Sequence, residues 1–349
     1  MKKILIDCER LKYPNTGLHT FCSELGRALI HQKKKELDYT FYVPPSSVNY
    51  FGTEINYKIF NPLHKLYIPN TDKYNVWHKT HQGSPYQPYN TKTKIVYTVH
   101  DLNFLVEKKH SANKIKSYLH KIQQNVNRAD VITCISDFAK QQVLDNIRVE
   151  NKEIITIYNG VSVNEFPDFN APKFLPKKPF LFTLGTVLPK KNFHVLPCLL
   201  QHNDFDLIIA GNLSKPEYIE KIKQEAKLFG VEQRVHIIGS INEKEKYWYY
   251  KNCKAFVFPS LAEGFGIPAI EAMLFEKPVF LSNLTSLPEI GGKVAYYFNN
   301  FSVENMQAVL DNGLTHYHNM ADKKIISTHA QQFTWEKAAQ AYQKIYLSL

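Results

Sequence analysis

The apolar positions of this chain fall into two successive sets of alternating strand-like and helix-like segments. "KKILID", residues 2–7, has the length and composition of a buried strand. After the loop "PNTGL", "TFCSELGRALI" sets Phe21, Leu25 and Leu29 four residues apart, on one face of a helix. "DYTFYVP", "KIVYTVHD" and "VITCIS" read as further strands, the second ending in His100 and Asp101. The basic stretch "SANKIKSYLHKIQQNVNRAD" between the last two is helical. Ser136 is placed to cap a helix over "DFAKQQVLDN", because its hydroxyl can accept from an unpaired N–H of the first turn. "EIITIYNGV" closes the set. Residues 44–90 are rich in Asn, Pro and Tyr and predict only short strands and loops.

Residues 167–179, "PDFNAPKFLPKKP", carry four prolines and three lysines and have the composition of a linker. A fresh alternation follows. "FLFTLGTV", "FDLIIAG", "VHIIGSI", "AFVFPS" and "PVFLSN" are strands; "NFHVLPCLL", "KPEYIEKIKQEAKLFG", "EKEKYWYYKNC" and "PAIEAMLFE" are helices. Such alternation means βαβ units and parallel sheets. The fold class expected is α/β, with two doubly wound, Rossmann-like domains facing a central cleft. Their bounds are 1–168 and 179–332, joined by a linker at 169–178. Trp335, Ala338, Ala339, Tyr342 and Ile345 give a last helix, within 333–349, one apolar face. In sheets of this kind ligands bind outside the carboxyl ends of the strands, so a functional residue is expected just after a strand.

Length agrees with this division, since 349 residues are ordinary for two domains. Five scattered cysteines without a C-x-x-C pair give neither a zinc ribbon nor a disulfide framework and suit reduced thiols. "MKKILIDCERL" is interrupted by Asp7 and is too short for a signal peptide, and no run of eighteen apolar residues occurs. A cytoplasmic location is expected. The net charge of +11 favours an anionic partner: a phosphorylated ligand, nucleic acid or an anionic lipid surface.

Four stretches pass the strand-end test. "LAEGFGIPAIEAM" follows "AFVFPS" and holds Glu263 and Glu271 either side of a turn containing Gly264, Phe265 and Gly266. Glycines let backbone N–H groups approach a ligand, Pro268 suits the first helical turn, and a helix N-terminus attracts anions. The same carboxylates would equally serve as an acidic helix start complementing the macrodipole, worth about 0.3–1 kcal/mol. "LGTVLPKKNF" offers Gly185, Lys190 and Lys191, cations able to neutralise a diphosphate or simply to solvate a turn. Gly17 precedes a helix, and His100 ends its strand. No H-E-x-x-H or His/Cys cluster suggests a metal, and "DFD" at 204–206 lies at the amino end of its strand. There is no G-x-S-x-G for a serine nucleophile.

Taken in order, "YTVHDLNFL", "TCISDFAK", "IYNGVSVNEF", "LGTVLPKKN", "FVFPSLAEGFGIPAIEAM", "LSNLTSLPEIGG" and "FTWEKAA" resemble the landmarks of the retaining glycosyltransferases of family 4, which have the GT-B fold. The resemblance covers nearly the whole chain except residues 44–90 and is most specific at the glutamate stretch. It implies transfer of a sugar from a nucleotide diphosphate sugar, with retention and without a metal or other cofactor. Glu271 matches the ribose-binding glutamate, and Glu263 the one beside the donor sugar. Gly264, Phe265 and Gly266 match the turn whose amides meet the donor. Lys191 matches the lysine on the diphosphate, Gly17 the N-terminal phosphate loop, and His100 the histidine near the sugar's C6 hydroxyl. The final helix resembles one that returns to the N-terminal domain. Thr186 stands where many members have arginine, with Lys190 offering a second cation, and the N-terminal loop has one glycine rather than two or three.

A bacterial mannosyltransferase-like enzyme of O-antigen or lipopolysaccharide synthesis is the expectation, with a lipid-linked or oligosaccharide acceptor; the "PKKN" segment suggests GDP-mannose as donor, UDP sugars being the alternative. Lys108, Lys109, Lys114, Lys116 and Lys121 offer an anionic membrane surface a peripheral contact, or form an ordinary solvated helix face. Other readings are a GT-B-fold nucleotide-sugar epimerase or hydrolase, and a basic nucleic-acid-binding protein. No RRM-like, KH or zinc pattern supports the last, and nucleic acid is not an expected partner.

Overall fold

The computed structural model describes residues 1–14, 16–107 and 110–349, which form two compact units. The first comprises Met1–Gly160 with Phe333–Leu349, the second Val161–Gln332. The first unit contains β1 (Lys2–Asp7), α1 (Gly17–His31), β2 (Leu37–Val43), β3 (Asn56–Ile59), β4 (Val76–Lys79) and β5 (Lys94–Val99). It continues through α2 (Ala112–Arg128), β6 (Val131–Cys134), α3 (Asp137–Asn146) and β7 (Glu153–Thr156). The strands pair in the order β3-β2-β1-β4-β5-β6-β7, all parallel, with Ile4 registered against Tyr39 on one side and Val76 on the other. Ile4, Leu5 and Ile6 are fully buried, as a strand covered on both faces requires.

β4 lies at the centre of this sheet, inside the stretch that the sequence reads only as short strands and loops. Two of its four residues are polar, which hides it from a search for apolar runs. Both find partners indoors. His78 bonds through Nδ1 to the Tyr346 hydroxyl (2.6 Å) and through Nε2 to the Thr98 hydroxyl (2.8 Å). The Lys79 ammonium donates to Asn125 Oδ1 at 2.6 Å.

The second unit contains β8 (Phe180–Leu184), β9 (Asp206–Ala210), α4 (Pro216–Leu228), β10 (Val235–Gly239), α5 (Glu243–Asn252) and β11 (Ala255–Phe258). It ends with α6 (Ile267–Leu274), β12 (Val279–Ser282), α7 (Leu287–Gly291), β13 (Tyr296–Phe298), α8 (Val303–Asn319) and α9 (Lys324–Ala330). Its strands, again parallel, run β10-β9-β8-β11-β12-β13. The helix expected near "NFHVLPCLL" is a 3-10 helix over Phe193–Leu200, with Pro197 inside it. Proline has no N–H for an α-helical bond, so the tighter form fits the segment. Residues 169–178 form no helix or strand. Lys173 N–H donates to Glu245 Oε1 (2.8 Å), and the Tyr249 hydroxyl donates to the Phe174 carbonyl (2.7 Å), fastening them to α5.

The last helix, α10 (Trp335–Ser348), belongs to the first unit. Trp335, Ala338, Ala339, Tyr342 and Ile345 are buried, as their spacing predicts. The Tyr342 hydroxyl lies 3.1 Å from that of Thr98 and 3.3 Å from that of Thr133. Each sheet reverses its winding once, between β1 and β4 and between β8 and β11. Such switch points are where doubly wound sheets receive ligands.

Candidate functional site

In the second unit the two loops at the switch point are the lysine-bearing "LGTVLPKKNF" and the glutamate-bearing start of "LAEGFGIPAIEAM". The loop after β8 ends in a short 3-10 turn, Pro189–Lys191, closed by Asn192 in the left-handed region at φ 58°. The loop after β11 lies against it. Leu261 N–H and Ser260 Oγ both donate to the Lys190 carbonyl, at 2.7 and 3.2 Å. Lys190 therefore joins the loops through its backbone. The Lys191 ammonium donates to Glu263 Oε1 at 2.5 Å and sits 4.8 Å from the centre of the Phe258 ring. Both side chains remain about one-eighth exposed, at 13% each, so the pair is reachable from solvent. Gly185 lies beneath it: a Cβ there would come 3.3 Å from Lys191 Cε.

The Glu263 backbone is held independently of its side chain. Its N–H donates to Thr285 Oγ1 (3.1 Å), and Ser286 Oγ donates to the carbonyls of Glu263 (3.1 Å) and Phe265 (2.7 Å). Phe265 buries its ring, leaving its main chain to shape the turn. Gly266 caps α6 at φ 123°, where an L side chain is strained, and a Cβ would come 2.9 Å from Leu287 Cδ2. Pro268 occupies the first turn, as expected, and Glu271 opens the second.

Glu271 is not turned to solvent. Its Oε1 accepts from the Lys246 ammonium (2.7 Å) and its Oε2 from the Tyr250 hydroxyl (2.8 Å), and the residue is only 5% exposed. Burial alone would lower the Lys246 pKa, but Glu271 beside it raises it above the ordinary lysine value. Burial, then Glu271, pushes the Tyr250 hydroxyl well up, so it stays a donor. Lys246 and Tyr250 were not singled out in the sequence. Their signal is the four-residue spacing on α5, which puts both on one helical face.

The remaining candidates are in the first unit. His100 follows β5, is 7% exposed, and its Nε2–H donates to the Thr80 carbonyl at 2.8 Å. Burial lowers its pKa to about 4, so the imidazole is neutral at pH 7 with Nδ1 as an acceptor. Phe21 meets its ring edge-on at 4.7 Å. Gly17 opens α1 after the N-cap Thr16, and a Cβ there would meet nothing within 4 Å. The fold itself thus makes no steric demand for glycine at this position.

"DFD" leads into β9 at its amino end, where Asp206 faces His236 at 3.7 Å. Among the described residues no group of three His, Cys, Asp or Glu is placed to hold a metal. Nor is any helix among them long and apolar enough to cross a membrane. Lys114, Lys116 and Lys121 are exposed on α2, while Lys108 and Lys109 lie outside the described residues.

Comparison with known proteins adds sequence relationships to this geometry. The family model for glycosyl transferases group 1 matches residues 165–317, and that for glycosyltransferase family 4 matches residues 21–165. The serotype-specific mannosyltransferase WbdA of Escherichia coli is 30% identical over 275 residues, covering 72% of this chain and 33% of that protein. This chain thus spans about a third of the length of that relative. The O-antigen chain mannosyltransferase B of Escherichia coli is 23% identical, covering 96% of each chain. A solved structure of Anabaena HepE in complex with UDP and glucose matches with a TM-score of 0.70 at 16% identity, covering 100% of both chains, a likeness of fold.

Proposed function

We propose, from the premise that this chain belongs to glycosyltransferase family 4 and has the GT-B fold, that it transfers a hexose from a nucleotide diphosphate sugar with retention of configuration. The observation that carries this reading is the meeting of Lys191 and Glu263 at the β8/β11 switch point. Cleavage of a glycosyl–phosphate bond leaves negative charge on the departing diphosphate and positive charge on the sugar. The lysine suits the first and the carboxylate the second, and each reaches the point of reaction from a different strand end.

In this reading the donor separates the Lys191–Glu263 pair. Lys191, with Lys190, takes the diphosphate; Glu263 bonds the sugar's hydroxyls and stabilises the oxocarbenium-like transition state. Gly185, Gly264, Phe265 and Gly266 bring main chain close to the donor. Glu271 accepts from the ribose hydroxyls, held in place by Lys246 and Tyr250. His100 accepts a sugar hydroxyl at Nδ1 and acts as a positioning group, since an imidazole with a pKa of about 4 is neither acid nor strong base at pH 7. Gly17 leaves room for phosphate. The departing phosphate takes the acceptor's proton, and the lysines neutralise the charge, so no metal is needed.

Mannose is the sugar proposed, supported by the names of the two Escherichia coli relatives, and GDP-mannose is proposed as its donor. The acceptor proposed is a lipid-linked or saccharide chain of a bacterial surface polysaccharide, reached from the cytoplasmic side of the membrane. Thermal-shift screening of GDP- and UDP-sugars tests the donor. Transfer by the best binder, in chelator, with the product's anomeric configuration read by NMR, tests the chemistry. Stabilisation by GDP-mannose above the UDP-sugars and an α-linked product are expected. Loss of transfer on chelation, or an inverted product, would overturn the reading.

A further inference from the structure

The first unit holds a cavity of about 850 Å³ between α2 and the segment that joins β4 to β5, within the size range of ligand sites. Lys65, Lys121 and Arg128 bring three cations to its wall, and Gln87, Gln124 and Asn125 bring amides. None of its lining residues is acidic. Beneath Gln87 and Asn125 lies Lys79, 1% exposed, whose ammonium reaches their carbonyl oxygens at 3.4 and 2.6 Å. Among the described residues none of these four cations has a carboxylate within salt-bridge distance. Arg128 and Lys79 repel each other, and an anion in the cavity relieves that repulsion. Burial brings the Lys79 pKa down to about 8, with Asp7 acting against the shift and Arg128 with it.

A second hollow, of about 260 Å³, meets the cavity at Gly83, which lines both. It lies at the β1/β4 switch point and is walled by Arg10, His81, Phe104 and Tyr118. Aromatic faces suit a sugar ring, and amides, which both donate and accept, suit its hydroxyls. We propose that this double cavity is a binding site for a phosphosaccharide, its phosphate among Lys65, Lys121 and Arg128 and its sugar reaching past Gly83 to the aromatic hollow. The chemistry is shared by a free sugar phosphate and by the head of a lipid-borne one. Leu63, Leu66 and Tyr67, 69%, 75% and 64% exposed, stand next to Lys65 and favour the lipid-borne form. The assignment of this ligand as acceptor, but not its binding, rests on the proposed transfer reaction.

The probes are mannose 1-phosphate, mannose and inorganic phosphate, titrated calorimetrically into the whole chain with GDP or UDP at saturation. Mannose 1-phosphate is expected to bind at least tenfold tighter than either of the others. Lys121→Gln/Arg128→Gln is expected to weaken it tenfold or more without altering nucleotide affinity. Because Arg128 also donates to the Pro88 carbonyl at 2.9 Å, Lys65→Gln/Lys121→Gln serves as a second variant that spares this bond. Equal affinity in wild type and both variants, or inorganic phosphate binding as tightly as the sugar phosphate, would overturn the site. If no nucleotide binds, the transferase reading falls while the titration still reads the cavity. Flotation with phosphatidylcholine vesicles carrying polyprenyl phosphomannose identifies the source. Retention lost in Leu63→Ser/Leu66→Ser supports the lipid-borne ligand; no retention with mannose 1-phosphate binding intact supports the free one.

Discussion

Glu263 and Glu271 come from one short stretch, yet their neighbours separate them. Glu263 holds one exchangeable partner, Lys191, at a place solvent can reach; Glu271 is gripped at both oxygens by Lys246 and Tyr250. Glu263→Ala is therefore expected to abolish measurable transfer while nucleotide affinity changes only a few-fold; calorimetry beside an activity assay checks this, and wild-type transfer would refute it. Glu271→Gln keeps the shape but weakens the pair with Lys246. A hydrogen bond to a charged group is worth about 1.5–3 kcal/mol, so nucleotide binding should fall by about tenfold to a hundredfold. A third expectation concerns pH. Burial lowers the pKa of His78 to about 3 and of His100 to about 4, from 6.5. The unfolded chain then binds more protons at these sites below about pH 6.5, so their contribution to stability is complete above that value and is lost as pH falls toward 4. Asp7, raised to about 6 by burial, opposes this over part of the window, while His194, lowered by burial to about 4, and His81, lowered well below its usual value, act in the same sense as the two. The urea midpoint should fall over the window, and less steeply in His100→Asn. A flat midpoint would count against both buried neutral imidazoles.

At the level of elements, the strand-end rule was readable wherever strands were apolar. "KIVYTV", "FLFTL" and "AFVF" were found from the sequence, and with them the positions of His100, Lys191 and Glu263. β4 escaped because His78 and Lys79 are satisfied by partners far along the chain, Tyr346 and Asn125, which local pattern does not reveal. Lys246 and Tyr250 escaped for the same reason: nothing within α5 shows that Glu271 lies opposite. The double cavity of the first unit stayed hidden because much of its wall comes from the weakly patterned 44–90 stretch and from a helix read as basic and as a membrane contact. The turn before α6 was legible, and its demand is testable. Gly266→Ala forces a Cβ to within 2.9 Å of Leu287 at φ 123°. Strain of this kind costs about 1–3 kcal/mol, which denaturant unfolding would resolve, and transfer should fall with it because the turn carries Glu263. Wild-type stability would mean the turn tolerates a side chain there.

The whole molecule is not built in chain order, since α10 completes the unit with which the chain began. Its side chains are integral to that core. Tyr346 supplies the hydroxyl for His78, Tyr342 sits against Thr98 and Thr133, and Gln343 donates to the Gln32 carbonyl at 2.9 Å. At Gly160 a Cβ would lie 2.0 Å from the Trp335 nitrogen, so the chain passes α10 too closely for any side chain. Burying a large apolar side chain is worth about 1.5–3 kcal/mol, and Trp335, Tyr342, Ile345 and Tyr346 are all buried. Their combined loss approaches the whole stability of a domain, about 5–15 kcal/mol. Deleting 333–349 should therefore unfold the first unit, read from the near-ultraviolet signal of buried Trp77, and abolish transfer. The second unit, with its own six-stranded sheet and the candidate donor residues from Gly185 to Glu271, should still bind nucleotide. Tyr346→Phe makes the gentler test: it leaves His78 Nδ1 without its partner and should cost about 1–3 kcal/mol. A truncated chain that still transferred sugar at the wild-type rate would show that α10 is an accessory to this fold rather than part of its core.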